Sequence, residues 1–194
     1  MNNTHGTDLT ILQEFFAAAT QRASAAMSNW TNGQVSLALE EVASNLDLSD
    51  DLLTMVVLGI QGELGGQLIL AFDDLNGRKL AATLLGRQFS ESAEWTELDQ
   101  SAVMETGNIL ASAYLNELTR LTDHKLVPTA PFFVQDFGAS VLAQVLAAQA
   151  VLSDRVLICR TRFEFNQQQV NWSLFFVPGD ELLQMLLAAV AASV

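Results

Sequence analysis

Apolar positions between residues 8 and 30 recur at helical spacing, with Leu9, Ile11, Leu12, Phe15 and Phe16 leading into an alanine-rich stretch that ends near Trp30. Asn32-Gly33 supplies the stop signal. Val35, Leu37 and Leu39 then alternate with Ser36, Ala38 and Glu40, which predicts a half-buried strand before the acidic stretch around Asp47, Asp50 and Asp51. The apolar runs 54–61 and 66–72, separated by Gly62, Gly65 and Gly66, predict a hairpin. Asp73 and Asp74 are cap residues for a short helix ending at Gly86.

The second half begins after a polar connector at 88–95. Thr96-x-x-Asp99 has the form of a capping box and opens a long helix predicted to run to about Leu121. Pro128 and Pro131 prevent its continuation, and the segment from Phe132 to Leu152 reads as a short extended piece followed by a helix. Residues 155–165 and 170–177 form a second predicted hairpin around Asn166-Gln167-Gln168-Gln169, and Pro178-Gly179-Asp180 leads into a last helix. The C-terminal apolar stretch 182–194 is read as a core helix in preference to a surface that packs on a second subunit in a homodimer.

The order helix, strand, hairpin, short helix thus occurs twice. Setting Glu14 against Glu105 aligns Ile11-Leu12-Gln13-Glu14 with Ala102-Val103-Met104-Glu105 and places Asn32-Gly33 opposite Asp123-His124, where both long helices stop. The expectation is an α/β chain of one domain, 1–194, built from two degenerate repeats at about 8–86 and 96–194. Two long helices would pack on a mixed, mainly antiparallel sheet in a pseudo-twofold sandwich.

Composition narrows the partners. Half of the 194 residues are apolar, enough for a sizeable core. Nine basic residues against 22 acidic ones give a net charge of −13, which argues against nucleic acid or an anionic membrane as partner. Arg120 and Lys125, or Arg155, Arg160 and Arg162, are scattered among neutral and acidic neighbours. The single cysteine, Cys159, lies in an apolar run, so an inert buried thiol and a reducing cytoplasm are expected. The N-terminus lacks the pattern of a signal peptide, and the apolar stretches 141–152 and 182–194 fall short of the roughly 18 residues a spanning helix needs. Two histidines, His5 and His124, and one cysteine do not make a usual zinc site, so no metal bound by the chain itself is expected. Neither histidine sits in a motif that places it beside a nucleophile.

On the second long helix, at about 100° per residue, Ser101, Glu105, Asn108, Ser112 and Thr119 fall within an arc of roughly 60°. Val103, Leu110, Tyr114, Leu118 and Leu121 occupy the opposite side, which puts the polar ridge toward solvent or a partner. An ordinary solvated helix face would have the same spacing. Ser101-x-x-x-Glu105-x-x-Asn108, followed after 22 residues by Pro131, resembles the phosphatase signature of the CheC/CheX/FliY family, D/S-x3-E-x2-N-x22-P. The resemblance implies a CheC-like sandwich fold and dephosphorylation of the aspartyl phosphate of a CheY-like response regulator. It implies that Glu105 and Asn108 project into the receiver's active site, where the partner brings its own Mg²⁺. An amide suits the orientation of an attacking water because it accepts and donates without changing charge near neutral pH. Glu105 would pair with the receiver's lysine, and Ser101 and Ser112 would be partner contacts, although Ser101 is equally a capping candidate. Gly107 is expected to mark a tight helix contact, and Pro131 to be structural.

The first half departs from this pattern. Thr10-x-x-x-Glu14-x-x-Ala17 keeps the acid and replaces the amide with a methyl, while Glu40 stands where the proline would fall. Glu14 and Ala17 therefore read as a decayed first site. Loss of half the pairs leaves a second reading open: a binding module that docks a receiver, or assembles with a CheD-like deamidase or a flagellar-switch component, without catalysis.

Overall fold

The structure, a computed structural model, describes residues 4–43, 51–62, 64–91, 94–150, 158–165 and 168–192 of the chain. Helix α1 spans Thr4–Trp30. It starts earlier than the apolar spacing predicts, because Thr4 to Asp8 continue the helix without contributing to an apolar stripe. It ends where Asn32 and Gly33 take positive φ of 52° and 81°, the left-handed conformation that reverses the chain. The Gly33 amide donates to the Ser28 carbonyl at 2.7 Å, and the Val35 amide donates to Thr31 Oγ1 at 3.1 Å. Those bonds satisfy the helix end and aim the chain into β1, Val35–Ala43.

Strands β2 (Leu52–Gly59) and β3 (Gly66–Asp73) make the first hairpin. Its glycine turn is forced: Gly66 has φ 124°, and a Cβ there would lie 2.9 Å from both the Gly179 nitrogen and the Val177 carbonyl. Asp73 caps α2 (Asp74–Leu84) by accepting from the Asn76 amide at 2.8 Å. Helix α3 (Glu97–Thr122) opens on a complete capping box. Thr96 Oγ1 accepts from the Asp99 amide at 3.2 Å, and Asp99 Oδ2 accepts from the Thr96 amide at 3.0 Å. It closes at Asp123, φ 55°. Pro131 immediately precedes β4 (Phe132–Phe137), which runs straight into α4 (Gly138–Ala150). The second hairpin is β5 (Ile158–Phe165) with β6 (Gln168–Pro178), and α5 covers Asp180–Ala192.

The six strands form one sheet in the order β1-β5-β6-β3-β2-β4, and every neighbouring pair is antiparallel. This order is unchanged when the strands of one half are exchanged for their counterparts, β1 for β4, β2 for β5 and β3 for β6. Each hairpin is flanked by the first strand of the other half. The offset that sets Glu14 against Glu105 also sets Asn32 against Asp123, the only two non-glycine residues with positive φ among the described residues.

One face of the sheet carries the main core. Val56, Leu58, Leu68, Leu70, Phe72, Phe163, Leu174 and Phe176 meet Phe16, Ala19 and Ala23 of α1 and Val103, Leu110, Tyr114 and Leu118 of α3, all buried. Phe16, Tyr114 and Phe176 form its centre, with ring centroids 5.4 to 6.4 Å apart. Leu182, Leu183 and Leu186 bury α5 in the same core. Met55, Ile69, Ala71, Phe175 and Val177 line the opposite face, where Val141 of α4 packs. The side chains of His5, Cys159 and Leu121 lie outside the described residues.

Gly107 sets the height of α3 above the sheet. A Cβ at this position would stand 2.7 Å from Val56 Cγ1 and 3.4 Å from Leu58 Cδ1. Helix propensity favours alanine over glycine by about 1 kcal/mol, but overpacking a dense core costs typically 1–3 kcal/mol. Val56 is fully buried and β-branched, so it has little room to rotate away. Gly107→Ala should therefore lower stability by about 1 kcal/mol in urea titration. The same substitution in a Val56→Ala background should be neutral or stabilising; equal losses in both backgrounds would refute the close-approach account.

Candidate functional site

The capping box, reinforced by an ion pair between Arg87 and Asp99, fixes the first turn of α3. Asp99 is buried, and so the helix leaves its cap in one direction. Beyond it Thr106 donates to the Ala102 carbonyl at 3.0 Å and is fully buried, while Gly107 presses on β2. These inward contacts determine what faces outward. Ser101 and Glu105 are exposed, and Asn108 and Ser112 are half-buried. Among the described residues, none of these four side chains takes part in a hydrogen bond or ion pair within the chain. Glu105 and Asn108 are one turn apart on the same face, so both can reach a single external object.

Ser101 lies in the second turn of α3 and is not its cap, since Thr96 holds that position. Thr119, the far end of the predicted ridge, is committed to the fold: its hydroxyl accepts from the Leu126 amide at 2.9 Å and closes the turn after α3. The usable ridge is thus Ser101 to Ser112. Pro131 enters β4 beside the point where the 126–130 loop joins β2; there the Gly59 amide donates to Thr129 Oγ1 at 2.9 Å, and Ile60 pairs with Pro128.

On α1, Glu14 and Ala17 are both exposed. Ala17 borders an open groove of about 500 Å³ between α1 and β1, lined also by Thr20, Gln21, Ser24 and Ser36. The methyl of Ala17 cannot hold a water, and the amide in this groove is that of Gln21, one turn further along α1. Glu40 accepts ion pairs from two arginines of β5, Arg160 at 3.2 Å and Arg162. Strand pairing thus brings Arg160 and Arg162 to one carboxylate, and the acid in place of the signature proline fastens β1 to β5.

A residue that sequence reasoning passed over holds the two long helices together. Glu117 is only 6% exposed, and its carboxylate meets Arg120 at 2.9 Å on its own helix and Arg22 of α1 at 3.5 Å. The hydrogen bond from Arg120 and the attraction of the carboxylate raise the Arg120 pKa above its ordinary value. The Glu117/Arg120 spacing of three residues was the available signal; the cross-helix partner was not readable. His124, by contrast, hydrogen-bonds the nearby Thr122 carbonyl at 2.7 Å. No group of three metal-ligating side chains occurs among the described residues. No described helix is long and apolar enough to cross a membrane.

A helical layer on a six-stranded antiparallel sheet, with an acid and an amide standing out from the second long helix, defines a CheC-like fold. The FliY structure of Thermotoga maritima superposes with a TM-score of 0.70, at 17% identity and covering 100% of both chains. CheX in the CheX-CheY-BeF3-Mg complex of Borrelia burgdorferi gives a TM-score of 0.58 at 16% identity, covering 86% of this chain and 97% of that one. No protein-family model matches the chain. In sequence it is similar to CheC: the CheY-P phosphatase CheC of Bacillus subtilis is 24% identical over 161 residues, covering 81% of this chain and 77% of that protein.

Removing the arginines should cost more than removing the acid. Glu117→Gln releases two guanidinium groups that are already two-thirds exposed and should cost about 1 kcal/mol. The Arg22→Ala/Arg120→Ala double variant strands a buried carboxylate and should lower the urea midpoint further than Glu117→Gln does. Urea midpoints that rank the two in the opposite order would remove Glu117 from the helix–helix lock.

Proposed function

We propose that the protein hydrolyses the aspartyl phosphate of a CheY-like receiver, with Asn108 orienting the attacking water and Glu105 pairing with the receiver's active-site lysine. One observation carries the reading: an acid and an amide, one turn apart and uncommitted among the described residues, face outward from a helix whose inner face is fixed by its cap and by Gly107. The naming of the Bacillus relative as a CheY-P phosphatase, and the complex of the Borrelia relative with CheY, support it.

An acyl phosphate already has a good leaving group, so rate can come from placing one water in line with phosphorus. The Asn108 carbonyl accepts a proton of that water, and its NH₂ donates to a neighbouring oxygen. A solvent-facing carboxylate suits a charge-assisted bond to an ammonium group. Mg²⁺ belongs to the receiver in this scheme and offsets charge on the phosphoryl oxygens. The chain contributes no metal of its own. Ser101 and Ser112 flank the pair as partner contacts. The reading also takes the chain as one domain of two degenerate repeats, about 8–86 and 96–194, supported by the strand order that survives exchange of the halves. It places the protein in the cytoplasm, together with the receiver.

The absent amide at Ala17 favours a second reading, a non-catalytic module that binds a receiver or assembles with a CheD-like or flagellar-switch partner. Catalysis is tested by adding the protein to a phosphorylated CheY-type receiver with Mg²⁺ and following loss of phosphate. Asn108→Ala should slow turnover by roughly 10²-fold or more, the scale of a misplaced reactant. Glu105→Ala should weaken binding as well as rate, and Glu14→Ala should leave both unchanged. Binding without acceleration would favour the module.

A further inference from the structure

The outward face of α3 does not end at Ser101. Leu98 precedes Glu105 by seven residues and lies within about 20° of it around the helix, roughly 10 Å nearer the N-terminus. It is 58% exposed, in contrast to the buried apolar residues of the opposite face. Its position is held firmly: it sits between the cap residue Thr96 and the buried Asp99, which Arg87 clamps. An apolar side chain on a rigid turn loses little freedom when it is covered.

The surroundings define what would cover it. Glu105 is exposed on this face, and Glu97 at the first position of the helix and Glu94 before its cap are exposed near the same end. The arginine beside it is engaged with Asp99, and those farther along α3 and on α1 are engaged with Glu117. The result is an acidic surface with one apolar foot. It complements a protein surface that presents a lysine next to an apolar patch.

Resting on the function proposed above, we infer that Leu98 is a specificity-determining contact for the receiver, seated on an apolar patch about 10 Å from the receiver's phosphorylated aspartate and lysine. Leu98 touches no reacting atom. It selects which receiver is held long enough for Asn108 to act, and its contribution lies in KM and not in kcat.

The full chain is assayed with a CheY-type receiver phosphorylated by acetyl phosphate, and by titration with the same receiver loaded with BeF3⁻ and Mg²⁺. Leu98→Ala should raise KM and the dissociation constant on the order of tenfold, the scale of losing a buried interface anchor. kcat at saturation should hold, and Leu98→Met should restore most of the affinity. Leucine and alanine are both strong helix formers, so unchanged thermal unfolding separates loss of contact from loss of fold. Wild-type KM in Leu98→Ala, or a fall in kcat alone, overturns the inference while leaving the phosphatase reading intact. A wild-type chain that neither binds nor dephosphorylates the receiver overturns both.

Discussion

The contact between Gly107 and Val56 governs the arrangement. A side chain of any size at residue 107 would lift α3 from β2, and the helix would then rotate or tilt to recover packing. Because the chain allows the backbone itself to approach, Thr106 and Leu110 stay buried on either side and Glu105 and Asn108 are turned out. The glycine costs helix propensity at the place where orientation matters most. Core packing and site geometry are thus set by one close approach.

Around that contact the two halves are interlocked. β1 completes the hairpin of the second half, and β4 that of the first. The long helices are pinned at their inner faces by Phe16, Tyr114 and Phe176, and at a peripheral point by Glu117 with Arg22 and Arg120. Symmetry of backbone coexists with divergence of surface. α3 shows an acid and an amide, whereas α1 shows an acid and a methyl bordering an open groove. Glu40, in the position of the missing proline, is held by Arg160 and Arg162, so the first half has turned that position to strand attachment.

Local signals were readable from the sequence and distant ones were not. Asp73 and Thr96 announce their helices because a cap is a bond between residues two or three apart. Asn32-Gly33 and the glycines between β2 and β3 declare turns because few residues accept positive φ. The start of α1 is not legible in the sequence, since Thr4 to Asp8 carry no apolar periodicity. Thr119 fell on the ridge by angle alone, although its hydroxyl is consumed in closing the turn. Strand order and the partner of Glu117 depend on pairings far apart in the chain, which no local pattern encodes. The family signature located Glu105 and Asn108. The fold adds that both are uncommitted among the described residues, and that Leu98 on their side of the helix is exposed.

The exchange of first strands between halves has a bearing on biosynthesis. β1 emerges from the ribosome early, yet among the described strands it pairs only with β5, near the other end of the chain. Until β5 follows, the nascent polypeptide presents Val35, Leu37 and Leu39 on a strand with no neighbour, a state exposed to wrong pairing. Completion of the sheet is therefore deferred until β5 has been made, and truncation before β5 leaves the earlier half without a finished edge.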